Sequence, residues 1–337
     1  MAVNRRIVLA SRPVGMPTAE NFRLEEEPVP EPRHGEVLVR ALWLSLDPYM
    51  RGRMSAGKSY AAPNPVGGVM TGGVCGRVEK SQDPAFQEGD IVQGFALGWQ
   101  DYAIATSAQI RKVDPSLAPI STSVGILGMP GMTAYFGLLE VGRPVPGDTV
   151  LVSAASGAVG AAVGQIAKIG GCRVVGTAGS DDKVNYITKE LGFDAGINYR
   201  AAGDLNAAVR EACPDGVDVY FDNVGGPVTD AAFANLAQWG RVAICGQISQ
   251  YNNTEEAMGP RSLRHVLINQ ASVEGFLVFR FTQKYPIALR RMARWIKEGK
   301  LRYREDVVEG LERAPEAFMG LLQGRNFGKL VVKVADE

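Results

Sequence analysis

The stretch VLVSAASGAVGAAVGQIAKIGGCRVVGTAGSDDK, residues 150–183, decides the fold. An apolar run from Val150 enters a turn of small residues, a helical run follows, and a second apolar run from Cys172 to Thr177 closes the unit. Strand, turn, helix and strand in that order are the signature of a dinucleotide-binding βαβ unit. Aligned to G-x-G-x-x-G, the turn reads Ala155-Ser156-Gly157-Ala158-Val159-Gly160, with alanine for the first glycine. Gly157 lets the backbone approach a pyrophosphate, while Gly160 and Gly164 let helix and sheet pack closely. A tight turn without a ligand is the plainer reading of such a motif, and the flanking strand and helix argue against it.

Such units carry an acidic residue about 20 positions beyond the glycine turn, where it grips the adenosine ribose. Here Gly176-Thr177-Ala178-Gly179-Ser180 is small and neutral, and Asp181-Asp182-Lys183 follows. A carboxylate at the strand tip would accept from a ribose 2′-hydroxyl and repel a 2′-phosphate, so its absence beside Lys183 favours NADPH. Either aspartate could instead reach a ribose. The preferred reading is that Ser180 caps the next helix and both aspartates sit in its first turn, where the helix dipole favours them. Lys183 on its own also reads as a solvated surface lysine.

Working outward, apolar strands alternate with helical stretches from about Thr122 to Gly299, the pattern of a doubly wound parallel sheet. Six strands are expected: Thr149–Ser153, Cys172–Thr177, Ala195–Asn198, Asp218–Asp222, Arg241–Cys245 and Ser272–Val278. Before this zone the chain is rich in Pro and Gly with short alternating strands such as EVLVRALWLSL (Glu36 to Leu46), which reads as a small β domain of barrel type. After it, PEAFMGLLQG (Pro315 to Gly324) reads as a helix followed by the strand LVVKV. This tail is expected to fold back onto the first zone, giving domains 122–299 and 1–121 with 300–337.

The bulk composition narrows the partners. Lys+Arg 36 against Asp+Glu 36 gives a formal net charge of +0, and without long like-charge blocks neither nucleic acid nor a membrane surface is favoured. The N-terminal apolar run, Ile7 to Ala10, is too short for a signal-peptide core, and nothing approaches a membrane span, so a cytoplasmic protein is expected. Cys75, Cys172, Cys213 and Cys245 stand far apart without a C-x-x-C pair, and the only histidines are His34 and His265. That spacing cannot form a compact structural zinc site, and two histidines argue against a catalytic one. The cysteines read as small buried hydrophobes.

Ligands of such sheets sit beyond the carboxyl ends of the strands. Two of those ends are polar here: Asp222-Asn223-Val224-Gly225-Gly226, and Cys245-Gly246-Gln247-Ile248-Ser249-Gln250-Tyr251. Together with LSLDPYMRGRM, GMPGMTAYFGLLE, AASGAVG, GQIAKIGGCRVVGTAGSDDKV, ICGQISQYNNT and NFGK, they make nearly the whole chain resemble the zinc-independent medium-chain dehydrogenases/reductases. Within that family the prostaglandin reductases, alkenal double-bond reductases and bacterial curcumin reductases are most alike. The one departure noted is Ser156, where relatives often have Ala or Thr.

The resemblance implies a Rossmann domain joined to a GroES-like β domain, a homodimer, and NADPH-dependent reduction of the C=C bond of enones and enals. It places Lys183 and Tyr199 at the 2′-phosphate and Gly157, Ala158, Val159 and Gly160 at the pyrophosphate. Asn223, Cys245, Gly246, Gln247, Ile248, Ser249, Tyr251, Phe276, Leu277, Val278 and Asn326 are expected along the rest of the cofactor, and Tyr49 and Tyr251 near the substrate carbonyl. Hydride addition at the β-carbon pushes charge onto that carbonyl as an enolate, which a tyrosine or the cofactor's ribose hydroxyl must stabilise. Tyr251 is the first choice and Tyr49 the second. An NADPH:quinone reductase and a binding protein that has lost turnover are the competing readings. Trp99, Met129, Met132 and Phe276 read equally as core or as the lining of a site for a bulky apolar substrate.

Overall fold

The computed structural model describes residues 3–337. The described chain divides into two compact units, one of residues 3–125, 305–326 and 330–337, the other of residues 126–304 and 327–329.

The first unit is built from antiparallel strands in sheets of two and seven. Its organising strand is Glu36–Ser45, whose alternate and neighbouring apolar residues are nearly all buried. One edge of this strand pairs with Val74–Ser81, with register shifts at Leu38/Val39 and Ala41/Trp43. Such bulges bend a strand and increase its twist. The other edge is shared: Glu36–Arg40 pair with Tyr102–Thr106, and Trp43–Ser45 with Val331–Lys333. Residues 331–333 of the tail thus join this sheet, and the helix before them spans Ala314–Leu322. That helix supplies Phe318, which stands edge-on to Phe22 and Trp99 at 6.4 and 5.7 Å, while those two rings stack at 5.9 Å. Trp99 is thus a core residue.

The second unit holds six strands: β1 Thr149–Val152, β2 Arg173–Ala178, β3 Ala195–Asn198, β4 Val217–Asp222, β5 Leu236–Ile244 and β6 Ser272–Gly275. Neighbouring strands among them pair in parallel, and the spatial order is β3-β2-β1-β4-β5-β6. This is the dinucleotide-fold order, with its switch point between β1 and β4. The strand count agrees with the sequence reading, and two boundaries move. β5 begins at Leu236, which pairs with Val217; the register then slips so that Arg241 faces Val219, with Trp239 at φ 62° in the slack. β6 stops at Gly275 because β5, its only ladder partner, ends opposite it at Ile244. Residues 278–284 then coil into 3₁₀ turns. Met132 is fully buried in this unit and Met129 only partly.

Candidate active site

Each sequence-expected contact in the second unit lies just past the carboxyl end of a strand. Gly157–Gly160 follow β1, Lys183 follows β2, Tyr199 follows β3, Asn223 follows β4, residues 245–251 follow β5 and residues 276–278 follow β6. Tyr49 and Asn326 belong to the first unit.

Helix α1, Ala158–Ile169, starts at the glycine turn with no side-chain cap and no acid in its first turn. The amides of a first helical turn have no intrahelical acceptor, so this end presents N–H groups and a partial positive charge. A side chain at Gly160 would place its Cβ 2.4 Å from the Ala154 carbonyl and 2.8 Å from Ala155 Cα. Only glycine fits there. At Gly157 the sole neighbour within reach is the Ala154 carbonyl at 3.2 Å, so the backbone is open to a pyrophosphate. Sequence reasoning missed what runs alongside: Gly328 of the NFGK segment forms a parallel bridge with Gly157, and Arg304 sits 4.1 Å from the ring centroid of Phe327.

At the tip of β2, Ser180 Oγ accepts from the Lys183 amide at 3.4 Å, the expected cap. Asp181 is held by Asn198, whose Nδ2 donates to Oδ1 at 2.7 Å. A Cβ on Gly179 would lie 2.9 Å from Tyr199 Oη and 3.4 Å from Arg200 Nε. The tip is therefore ringed by a phenol and a guanidinium, with Lys183 in the adjoining helix Asp181–Asn185. Arg200 carried no motif of its own, and only the turn after β3 brings it here.

The loops after β4 and β5 are bonded into one piece. Asn223 is fixed twice by Ser153 at the end of β1: its amide donates to Ser153 Oγ and its Nδ2 to the Ser153 carbonyl, both at 2.8 Å. The carbonyl of Asn223 accepts from Ile248 and that of Val224 from Ser249, whose hydroxyl adds a bond of 2.6 Å. Tyr251 Oη accepts from the Gln247 amide at 3.3 Å. Cys245 is half-buried, and desolvation of its sulfur, with the nearby Asp222 acting in the same direction, pushes the thiol up to about 12, so at neutral pH it is protonated. Phe276 is buried edge-on to Phe221 at 6.1 Å and presses against Gly137, so its ring is core.

A sheet in this order, with a glycine turn entering a helix at the switch point and polar loops at the neighbouring strand ends, defines a nicotinamide-dinucleotide-binding α/β protein. Family models described as the N-terminal domain of oxidoreductase and as zinc-binding dehydrogenase match residues 5–113 and 158–294. The chain is 48% identical to an NADPH-dependent curcumin reductase of Escherichia coli over 99% of this chain and 98% of that one. It is 45% identical to a 2-alkenal reductase (NADP(+)-dependent) of Nicotiana tabacum, again over 99% and 98%. The crystal structure of CurA in complex with NADPH from Vibrio vulnificus superposes with a TM-score of 0.94 at 47% identity, covering 99% of this chain and 100% of that chain. The chain belongs to the zinc-independent medium-chain dehydrogenase/reductase family. Among the described residues, no group of three or more His, Cys, Asp or Glu is placed to hold a metal ion.

Proposed function

We propose that this chain is an NADPH-dependent oxidoreductase that reduces the C=C bond of α,β-unsaturated ketones and aldehydes. The observation that carries the reading is the pairing of a β2 tip without a carboxylate, faced by Tyr199 and Arg200 and followed by the helix that carries Lys183, with a phenol anchored on the loop after β5. The residues fit the cofactor: open backbone at Gly157, uncapped amides at α1, and cationic and phenolic groups around Gly179 where a 2′-phosphate belongs. Once bound, NADPH supplies the hydride that adds to the β-carbon.

The chain's own residues do the rest. The α1 amides and Gly157–Gly160 hold the pyrophosphate, Lys183 and Tyr199 the 2′-phosphate. Asn223, the 245–251 segment, Leu277 and Val278 border the remainder of the cofactor. Tyr251 donates to the carbonyl oxygen as charge develops there, because a hydrogen bond to an oxyanion is stronger than one to the ground-state carbonyl. Tyr49 is assigned as a second donor from its own surroundings: Oη is buried without a partner among the described residues, and burial holds its pKa well above the usual phenol value. A buried donor left unpaired costs about 1–3 kcal/mol, a cost that a substrate oxygen would relieve.

The reading is tested by following NADPH consumption with an acyclic enone, a 2-alkenal and a quinone, and by repeating the assay with NADH. Faster turnover of the enone and alkenal than of the quinone, with NADPH preferred, is expected. Turnover of the quinone alone would replace the reading with a quinone reductase, and none with any acceptor would leave a binding protein.

We also infer a homodimer. β6 is an edge of its sheet, and close to it are Leu263 and Leu267, both 78% exposed, and Trp239, 67% exposed. An unpaired edge flanked by apolar side chains is covered in stable proteins, and a second copy meeting it about a two-fold axis is the self-complementary solution. Leu267→Glu is expected to shift the molar mass measured by light scattering from dimer to monomer; a monomeric unmutated protein would refute the interface. No described helix is long and apolar enough to cross a membrane. We place the protein in the cytoplasm, where four free cysteines stay reduced.

A further inference from the structure

Asp222 is 0% exposed, yet it is a carboxylate in the middle of the apolar end of β4. A buried carboxylate persists only where its oxygens are supplied with donors. Here the supply is complete. Oδ1 accepts from the Val224 and Gly225 amides, each at 2.9 Å, from Tyr220 Oη at 2.9 Å and from Ser153 Oγ at 3.3 Å. Oδ2 accepts from Thr229 Oγ1 at 2.8 Å. Burial keeps the Tyr220 phenol well above its ordinary pKa, so it remains a donor.

What these bonds hold is a turn through two glycines at positive φ. Gly225 sits at φ 74°, ψ −169° and Gly226 at φ 61°, conformations open to glycine among many others, so the bonds to Asp222 select one of them. The carbonyl of Asp222 also accepts from the Cys245 and Gly246 amides at 2.8 and 3.0 Å. One residue thus fixes both the turn after β4 and the start of the loop after β5. The next amide along, that of Gln247, bonds Tyr251 Oη.

We propose that Asp222 is a positioning residue for Tyr251, acting through the welded loops 222–226 and 245–251 and touching neither substrate nor cofactor. The proposal rests on the role given to Tyr251 above. Its physical content is that a carboxylate is acceptor-only at both oxygens and so meets donors on each side, whereas an amide of the same shape turns one of those oxygens into an N–H donor and leaves the donors on that side without their acceptor. The loops then relax, and a shift of about 1 Å in a catalytic group can cost on the order of 10²-fold in rate.

The experiment is a double-mutant cycle in enone turnover between Asp222→Asn and Tyr251→Phe. Asp222→Asn alone should lower kcat by about 10- to 100-fold. In the Tyr251→Phe background it should lower kcat less than about 2-fold, because the group it positions is already gone. Multiplicative effects in the two backgrounds would overturn the proposal and leave Asp222 a structural residue. Failure of Tyr251→Phe alone to slow turnover would instead remove the reading on which the proposal stands. Should Asp222→Asn not fold, Thr229→Val removes one donor while keeping the carboxylate. The same cycle with that variant should again be non-additive, and additivity overturns the proposal.

Discussion

Tyr251→Phe is expected to lower kcat for an acyclic enone by about 10²- to 10³-fold, the usual consequence of deleting one donor to a developing oxyanion. The loss should appear in kcat and in kcat/KM alike, because the hydrogen bond is worth more to the enolate than to the ketone. NADPH binding and thermal unfolding should stay close to those of the parent, since the ring and its place on the loop are retained. Only the phenol oxygen that accepts from the Gln247 amide disappears. The measurement is steady-state turnover beside a direct NADPH titration. Unchanged turnover removes Tyr251 from the chemistry and moves the assignment to Tyr49, whose Tyr49→Phe variant then becomes the informative one.

Lys183→Ala is expected to weaken NADPH by roughly 10- to 150-fold, corresponding to the roughly 1.5–3 kcal/mol of a charge-assisted hydrogen bond, while leaving NADH affinity within about 2-fold. The selectivity follows from the site. In the proposed site Lys183 serves the 2′-phosphate, so its deletion should leave the pyrophosphate end, assigned to the α1 amides, untouched. Because Arg200 also borders Gly179, the residual preference for NADPH should fall again in the Lys183→Ala/Arg200→Ala pair. Equal affinity of the unmutated protein for the two nucleotides, read from competing titrations, would falsify the phosphate assignment.

Much of this was legible in the chain because it depends on neighbours in sequence. A glycine turn, the helix behind it and the uncharged β2 tip lie within residues 150–183, and their spacing alone implies which end of a dinucleotide meets which residue. The Ser180 cap and the placing of Asp181 and Asp182 in a first turn are local for the same reason. Other features were hidden. Phe276 and Trp99 have compositions that suit a substrate site or a core equally, and only their rings against Phe221 and against Phe22 and Phe318 assign them to cores. The early start of β5 was invisible since Leu236 is strand only by virtue of pairing with Val217, across a slip that leaves Trp239 at positive φ.

By itself, then, the sequence determined the alternation that makes a parallel sheet, the glycine turn into a helix, the uncharged tip of β2 and the family. Each is a matter of periodicity or short spacing, for which backbone geometry supplies the rule. Tertiary structure decided which polar groups meet: Asn198 with Asp181, Ser153 with Asn223, and five donors with Asp222. Those encounters join residues brought together only when strands distant in the chain lie side by side, and a buried hydrogen bond forms or fails within a few tenths of an ångström, a precision that no spacing rule along a chain conveys.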